Sequence, residues 1–329
     1  MTNEPIRWGI VSTARIARGA FLPALRAAGG GVAYAVGGRD LERTKRFAKE
    51  NGIEHAVDGY EALCADPNVD AIYVATPNGL HEESAAAALQ AGKAVLCEKP
   101  LCGTVESTER LLDVARGAAR PLWEAFVFLF AEQTARLIEL VEAEAIGEVR
   151  QVYSSHHFML GNRSDVRMSP DLEGGALQDV GCYSVRFARL VFGAEAESAV
   201  ADVHVAPEGV DEQVDGVLRF PGGRTLLLSA SMRLPPTQFA RVIGTEGEIR
   251  LSNPFHASLT DTIEVITDDE THIIRAGTSR PTFTPHIEHI HAALRGEEAP
   301  RHLAVDEAMG NARAIAMLYS ASGLGTPTA

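Results

Sequence analysis

Positive charge is what this chain has too little of to hold a polyanion. Its 30 Lys and Arg stand against 44 Asp and Glu, a formal net charge of −14, and a surface so biased repels a phosphate backbone and an anionic membrane face alike. Neither nucleic-acid nor membrane binding is expected. Long apolar runs are also missing, since no segment nears the ~18 residues of a membrane span. The opening Met1-Thr2-Asn3-Glu4-Pro5 lacks a basic run followed by an apolar core, so the expected location is the cytoplasm. Cysteine is scarce: Cys64, Cys97, Cys102 and Cys182 include no C-x-x-C pair, which favours buried free thiols over a disulfide frame or a zinc centre, and no metal is expected. No internal repeat or low-complexity tract interrupts the chain.

What is present is an ordinary globular composition, 46% hydrophobic and 22% charged over 329 residues, enough for roughly two domains. Apolar runs at Arg7–Val11, Val32–Val36, Glu54–Val57, Ala71–Ala75 and Ala94–Cys97 alternate with helical patterns, among them Leu41–Asn51 stopped by Gly52 and His81–Ala91 stopped by Gly92. Pro23 is expected to interrupt the first helix, and Gly29-Gly30-Gly31 to reset the chain. Strands and helices alternating at this spacing predict an α/β fold with a doubly wound parallel sheet over residues 1–122. After Pro121 the pattern becomes strand-rich, with segments near 149–157, 199–205, 214–220, 225–232, 240–243, 248–251, 262–266 and 272–274. Residues 123–329 therefore read as an α+β domain with one large, mainly antiparallel open sheet. The helix expected over Gly175–Val191 covers one face, and the other face points to a homo-oligomer, dimer or tetramer.

Ligands of an open parallel sheet bind beyond the carboxyl ends of its strands, and polar residues gather at those ends here. The dinucleotide fingerprint G-x-G-x-x-G is absent; Ser12, Ala14 and Ala17 stand in its register. Small residues meet its demands for a tight turn and close backbone approach, so the turn Ser12-Thr13-Ala14-Arg15-Ile16 remains a candidate pyrophosphate site at a helix start. At the end of the second strand, where a carboxylate would take the ribose 2′-hydroxyl of NAD, Gly38-Arg39 leaves room and positive charge for a 2′-phosphate. NADP is the expected cofactor, with NAD as the alternative that nearby Asp40 keeps open. Thr76-Pro77-Asn78 follows the fourth strand and leads to His81, read either near a nicotinamide or as a surface helix start. The fifth strand runs out into Glu98-Lys99-Pro100, where Pro100 biases Lys99 to extended backbone and aims its ammonium.

Five segments taken in order resemble the Gfo/Idh/MocA family of glucose–fructose oxidoreductases, inositol dehydrogenases and their relatives. They are Gly9–Ala17, Ala75–His81, Cys97-Glu98-Lys99-Pro100-Leu101, Glu124-Ala125-Phe126 and Gly174-Gly175-Ala176-Leu177-Gln178-Asp179-Val180-Gly181-Cys182-Tyr183. The resemblance implies NAD(P)-dependent hydride transfer on a sugar, cyclitol or related small molecule, with Lys99, Asp179 and Tyr183 at catalytic positions. Tyr183 replaces the His found there in many members, as in the branch with NADP-linked xylose and dihydrodiol dehydrogenases. Leu129 and Ala131 stand where that branch often has Arg and His, which implies a different or less polar substrate.

On a helix Asp179 and Tyr183, four apart, share a face. Alcohol oxidation needs a proton taken as hydride leaves, and a phenol loosened by a nearby ammonium suits that task. Tyr183 is then the acid/base, Lys99 the field and oxygen-holding charge, and Asp179 the group that orients the substrate or Lys99, in a cleft between domains. Arg163, Asp165 and Arg167 are candidates for the substrate mouth. His156 and His157, and the group His286, His289 and His291, lack a convincing ligand set. A non-catalytic nucleotide sensor would keep the fold without a chemical reason to keep Lys99, Asp179 and Tyr183 together. A non-redox sugar-processing enzyme with a tightly bound cofactor shares these residues.

Overall fold

Trp8 and Ile10 on one side of the first strand, and Val11 on the other, are wholly buried, because this strand is the middle of a sheet covered on both faces. The structure, a computed structural model, describes residues 4–324. These gather into two compact units, residues 4–102 with 106–127 and 280–309, and residues 103–105 with 128–279 and 310–324.

The first unit holds β1 (Ile6–Val11), β2 (Gly31–Gly38), β3 (His55–Asp58), β4 (Ala71–Val74), β5 (Ala94–Cys97) and β6 (Leu122–Glu124) in the order β3-β2-β1-β4-β5-β6. Every pair is parallel, and the order reverses at β1, so the carboxyl ends of β1 and β4 flank the crevice where such sheets take ligands. The helices are α1 (Leu22–Ala28), α2 (Leu41–Asn51), α3 (Tyr60–Cys64), α4 (His81–Gln90) and α5 (Val105–Ala118). One apolar layer joins Trp8, Ile10, Tyr73 and Leu96 to Phe21, Leu22 and Phe47. The opposite layer joins Val11, Ile72, Val74 and Val95 to Leu63, Leu89, Leu111 and Leu112. Pro23 does not interrupt its helix. The chain winds through a π turn at Ala17–Phe21, in which the Leu22 N–H reaches back to the Ala17 carbonyl, and this puts Pro23 in the first turn of α1, where its missing N–H costs no bond.

The second unit opens with α6 (Glu132–Glu142) and an eight-stranded sheet. Its strands are β7 (Val149–Met159), β8 (Ser198–Val205), β9 (Asp211–Phe220), β10 (Arg224–Ser231), β11 (Arg233–Gly244), β12 (Gly247–Leu251), β13 (Thr262–Thr267) and β14 (Thr271–Arg275). The order is β14-β13-β12-β11-β7-β10-β9-β8. All pairs are antiparallel except β7 with β10. Alternation sends Val152, Ser154, Leu226, Leu228 and Ala230 to the buried face, which α7 (Cys182–Phe192) covers, the Ser154 and Ser184 hydroxyls meeting at 2.9 Å.

The chain then returns through α8 (Thr284–Leu294) and α9 (Ala304–Ala321). Phe283, Ile287 and Ile290 join the Trp8 layer of the first unit, so a single cut after residue 122 separates a segment from the sheet that it packs on. Its histidines have structural work: the His291 Nδ1–H donates to the Gly29 carbonyl at 2.9 Å, while Nε2 accepts from Trp8 Nε1 at 2.9 Å. Burial pushes the pKa of His291 down to about 4, so the ring is neutral near pH 7 and its tautomer is set by these two partners.

Candidate active site

At the end of β1 Ser12 takes φ +95° and donates its N–H to the Gly37 carbonyl at 3.0 Å. Positive φ is uncommon away from glycine, and here it turns the strand into the helix where the fingerprint would use its first Gly. Thr13 and Ala14 follow half-buried, Arg15 and Ile16 exposed. At the end of β2 a Cβ on Gly38 would lie 2.3 Å from Thr44 Oγ1. A side chain there would displace the Thr44 hydroxyl, which donates to the Asp40 carbonyl at 2.7 Å. Arg39 is exposed, and the next residue, Asp40, caps α2 by accepting the Arg43 N–H at 3.0 Å. That bond holds its carboxyl below the usual range. A cavity of about 200 Å³ lies beside this turn, lined by Thr13, Ala14, Phe47 and Glu50 and by four arginines, Arg15, Arg18, Arg43 and Arg46. Arg43 and Arg46 are additions to the residues expected from sequence; their signal is a spacing of three within α2, which puts both on one helical face.

The loops after β4 and β5 are fastened to each other. Thr76 is buried, its Oγ1 without a hydrogen-bond partner among the described residues, and half-buried Pro77 and Asn78 lead into α4. His81 is neither a surface residue nor a ring offered to a ligand. It is wholly buried, with Nδ1 2.9 Å from the Pro100 carbonyl and Nε2 2.9 Å from that of Thr76; burial lowers its pKa. Glu98 Oε1 accepts the Tyr73 hydroxyl at 2.6 Å, and Oε2 the Lys99 N–H at 3.3 Å. Tyr73 in turn stacks on Phe21 with ring centroids 4.0 Å apart. Beyond the cis Lys99–Pro100 peptide bond, the Leu101 N–H donates to buried Glu124 Oε1 at 2.8 Å. Side chains from β4, α4 and β6 thus grip the backbone on both sides of half-buried Lys99. Tyr73 and Glu124 were not among the expected site residues, although a Glu closing an apolar strand is itself a signal of a buried partner.

In the second unit the helix expected over Gly175–Val191 begins instead as a π turn, Leu177–Gly181, and becomes α7 at Cys182. π turns inside helices frequently mark functional sites. Buried Asp211 supports this turn, its Oδ2 accepting the Leu177 N–H at 2.7 Å and its Oδ1 the Tyr319 hydroxyl at 2.9 Å. Burial pushes the Asp211 carboxyl up to about 7. Gly175, at φ +120°, is required because a Cβ there would lie 2.0 Å from Asp211 Oδ1. Asp179 Oδ2 accepts Arg167 Nε at 2.7 Å, and its charge raises the guanidinium pKa further. The Tyr183 hydroxyl lies 3.4 Å from His256 Nε2. Arg163 is engaged by Glu208 and Glu212, and Leu129 is buried.

Residues 6–126 match the model of the oxidoreductase family with an NAD-binding Rossmann fold, and residues 134–250 match the GFO/IDH/MocA C-terminal domain. The chain is 35% identical to a D-xylose 1-dehydrogenase (NADP(+)) of Haloferax volcanii over 97% of its own length and 98% of the relative's. It is 34% identical to the trans-1,2-dihydrobenzene-1,2-diol dehydrogenase of Xenopus tropicalis over 74% of each chain. Among solved structures, the 3-ketoreductase KijD10 of Actinomadura kijaniata, in complex with NADP and TDP-benzene, superposes with a TM-score of 0.88 at 31% identity, covering 97% of this chain and 98% of that one. Variants of that reductase, altered at one lysine or at one tyrosine, have also been solved. Those two positions are as far apart in its sequence as Lys99 and Tyr183 are here. With both halves of its sequence matched in order, the chain belongs to the Gfo/Idh/MocA family of NAD(P)-dependent oxidoreductases.

Proposed function

We propose that this protein is an NADP-dependent dehydrogenase or reductase that moves a hydride between the cofactor and a carbon bearing hydroxyl or carbonyl in a sugar or related polyol. The observation that carries the cofactor choice is the end of β2, where Gly38 presents no carboxylate, Asp40 is turned to capping, and four arginines line the adjoining cavity. These residues fit a 2′-phosphate, which Arg39 and Arg43 would hold by charge-assisted bonds. The Ser12–Ile16 turn would take the pyrophosphate at a helix start, and Thr76, Pro77, Asn78, Glu98 and Lys99 the nicotinamide end. When bound, the cofactor supplies hydride acceptance or donation. Tyr183 takes the hydroxyl proton as the carbon is oxidised and returns it on reduction. Lys99 supplies positive charge for the oxygen that becomes anionic, and Asp179 holds Arg167 toward the substrate.

Cofactor preference tests this reading. In binding titrations NADP should bind more tightly than NAD, and Arg39→Ala should weaken NADP ~10-fold or more, as expected for a lost charge-assisted contact, while NAD changes little. Equal losses for both would remove the 2′-phosphate assignment.

The working state is a homo-oligomer of the second unit's sheet. Tyr153, Phe239, Leu227 and Val217 alternate onto the face opposite α7, and Val200 on β8 is 53% exposed, which together form an apolar surface of the kind that copies cover. Light scattering at micromolar protein should return a dimer or tetramer; a mass of 35.2 kDa, that of one chain, would refute it. Among the described residues no helix is long and apolar enough to cross a membrane. All four cysteines are buried and none is in a disulfide, in keeping with a reducing cytoplasm.

A further inference from the structure

The Gln238 side chain on β11 is pinned in one orientation. Its Oε1 accepts two backbone N–H groups, Phe255 at 3.0 Å and His256 at 3.1 Å, and a flipped amide would set its NH₂ against both donors. Nε2 is therefore the atom that faces His256 Nδ1 at 3.2 Å and His156 Nε2 at 3.4 Å. An amide nitrogen only donates, so His256 Nδ1 must accept. The ring proton of neutral His256 then sits on Nε2, the nitrogen 3.4 Å from the Tyr183 hydroxyl. The loop that carries this ring is anchored by Phe255, which is buried and packs against Tyr183 at 5.2 Å, His156 at 5.4 Å and Phe128 at 5.7 Å between ring centroids.

We propose that His256, with its tautomer set by Gln238, is the positioning residue that donates an N–H to the Tyr183 oxygen and does not itself take the proton that the tyrosine exchanges with the substrate. This rests on Tyr183 being the acid/base. A phenol oxygen that accepts from His256 turns its O–H elsewhere, and when that proton departs the oxygen keeps a donor against its new charge. The 3.4 Å separation is long for a neutral pair and shortens as the acceptor becomes anionic. The opposite tautomer would accept the Tyr183 proton and withdraw it from the reaction. His156 is the other titratable ring against this pair, 5.4 Å from Tyr183 and 5.6 Å from His256 between centroids, so the limb of a pH profile belongs to the cluster.

The test compares His256→Phe, His256→Gln and Tyr183→Phe with a substrate found by screening a sugar and polyol panel for NADP-linked absorbance change. His256→Phe keeps a flat ring and deletes the donor. It should lower kcat ~10-fold or more, leave NADP affinity within about twofold, and move the rising limb of the oxidation profile to higher pH by about one unit. His256→Gln carries an N–H at a similar reach and should recover kcat to within about threefold of the parent. An unmoved limb in His256→Phe, or equal losses in Phe and Gln variants, overturns the proposal. Tyr183→Phe separates the two claims: if it turns over like the parent, the acid/base assignment has failed and this inference with it. If it collapses turnover while His256→Phe leaves the limb in place, the inference alone has failed.

Discussion

Tyr183→Phe is expected to cut turnover by ~10²- to 10⁴-fold, the range of a lost general acid/base, with NADP affinity and thermal midpoint near those of the parent. The ring stays, so its contacts with Phe255 at 5.2 Å and His156 at 5.4 Å between centroids stay too. What goes is one oxygen, and its neighbour His256 is exposed and bonds to water once the phenol is gone. A hydroxyl that served only packing would give the reverse pattern, a lower melting temperature and ordinary turnover per folded molecule. Removal of a group that acts only in the transition state lowers kcat and kcat/KM together. A variant that raised KM alone would make Tyr183 a substrate-binding residue and require another proton carrier.

The strand end that carries Lys99 is legible in sequence for a local reason. Lys99 follows a run of four buried residues, Ala94–Cys97, and a run of that kind that stops at charges announces the end of a central strand. Leu41–Asn51 was equally plain because its ends carry their own signals, Asp40 as the N-cap and Gly52 at φ +68°. The π turns were not, since no residue type specifies an i→i−5 bond. Ala17–Phe21 and Leu177–Gly181 are set by what packs on them, as with Gly181, where a Cβ would lie 3.2 Å from that of Ala230. The same holds for the groups that steady the site. Asp211 meets Leu177 34 positions away, Tyr183 meets His256 73 positions away, and Tyr73 meets Glu98 25 positions away. A single polar residue in an apolar strand shows that it needs a partner, but its partner is chosen by the fold. The return of Phe283, Ile287 and Ile290 to the first unit is of this kind, for their helical spacing names a buried face and not the sheet that buries it.

Lys99→Met should separate positioning from charge. The backbone around Lys99 is held by groups that do not involve its ammonium: Tyr73 on Glu98, His81 on the Pro100 carbonyl and Glu124 on the Leu101 N–H. The methionine variant should therefore fold, keep the same loop and bind NADP within a few-fold of the parent. An alkoxide that develops without its cation loses ~3 kcal/mol or more of stabilisation, and kcat should fall ~10²-fold or further. The ammonium also favours the deprotonated form of a neighbouring acid, so the rising limb of the oxidation profile should move to higher pH. Lys99→Arg keeps the charge but not the point-like geometry and should fall between the two. A large loss of NADP affinity with kcat intact would make Lys99 a cofactor-holding residue. If Lys99→Met and Tyr183→Phe both turned over within about threefold of the parent, a factor worth less than 1 kcal/mol of barrier, neither side chain would be part of the chemistry.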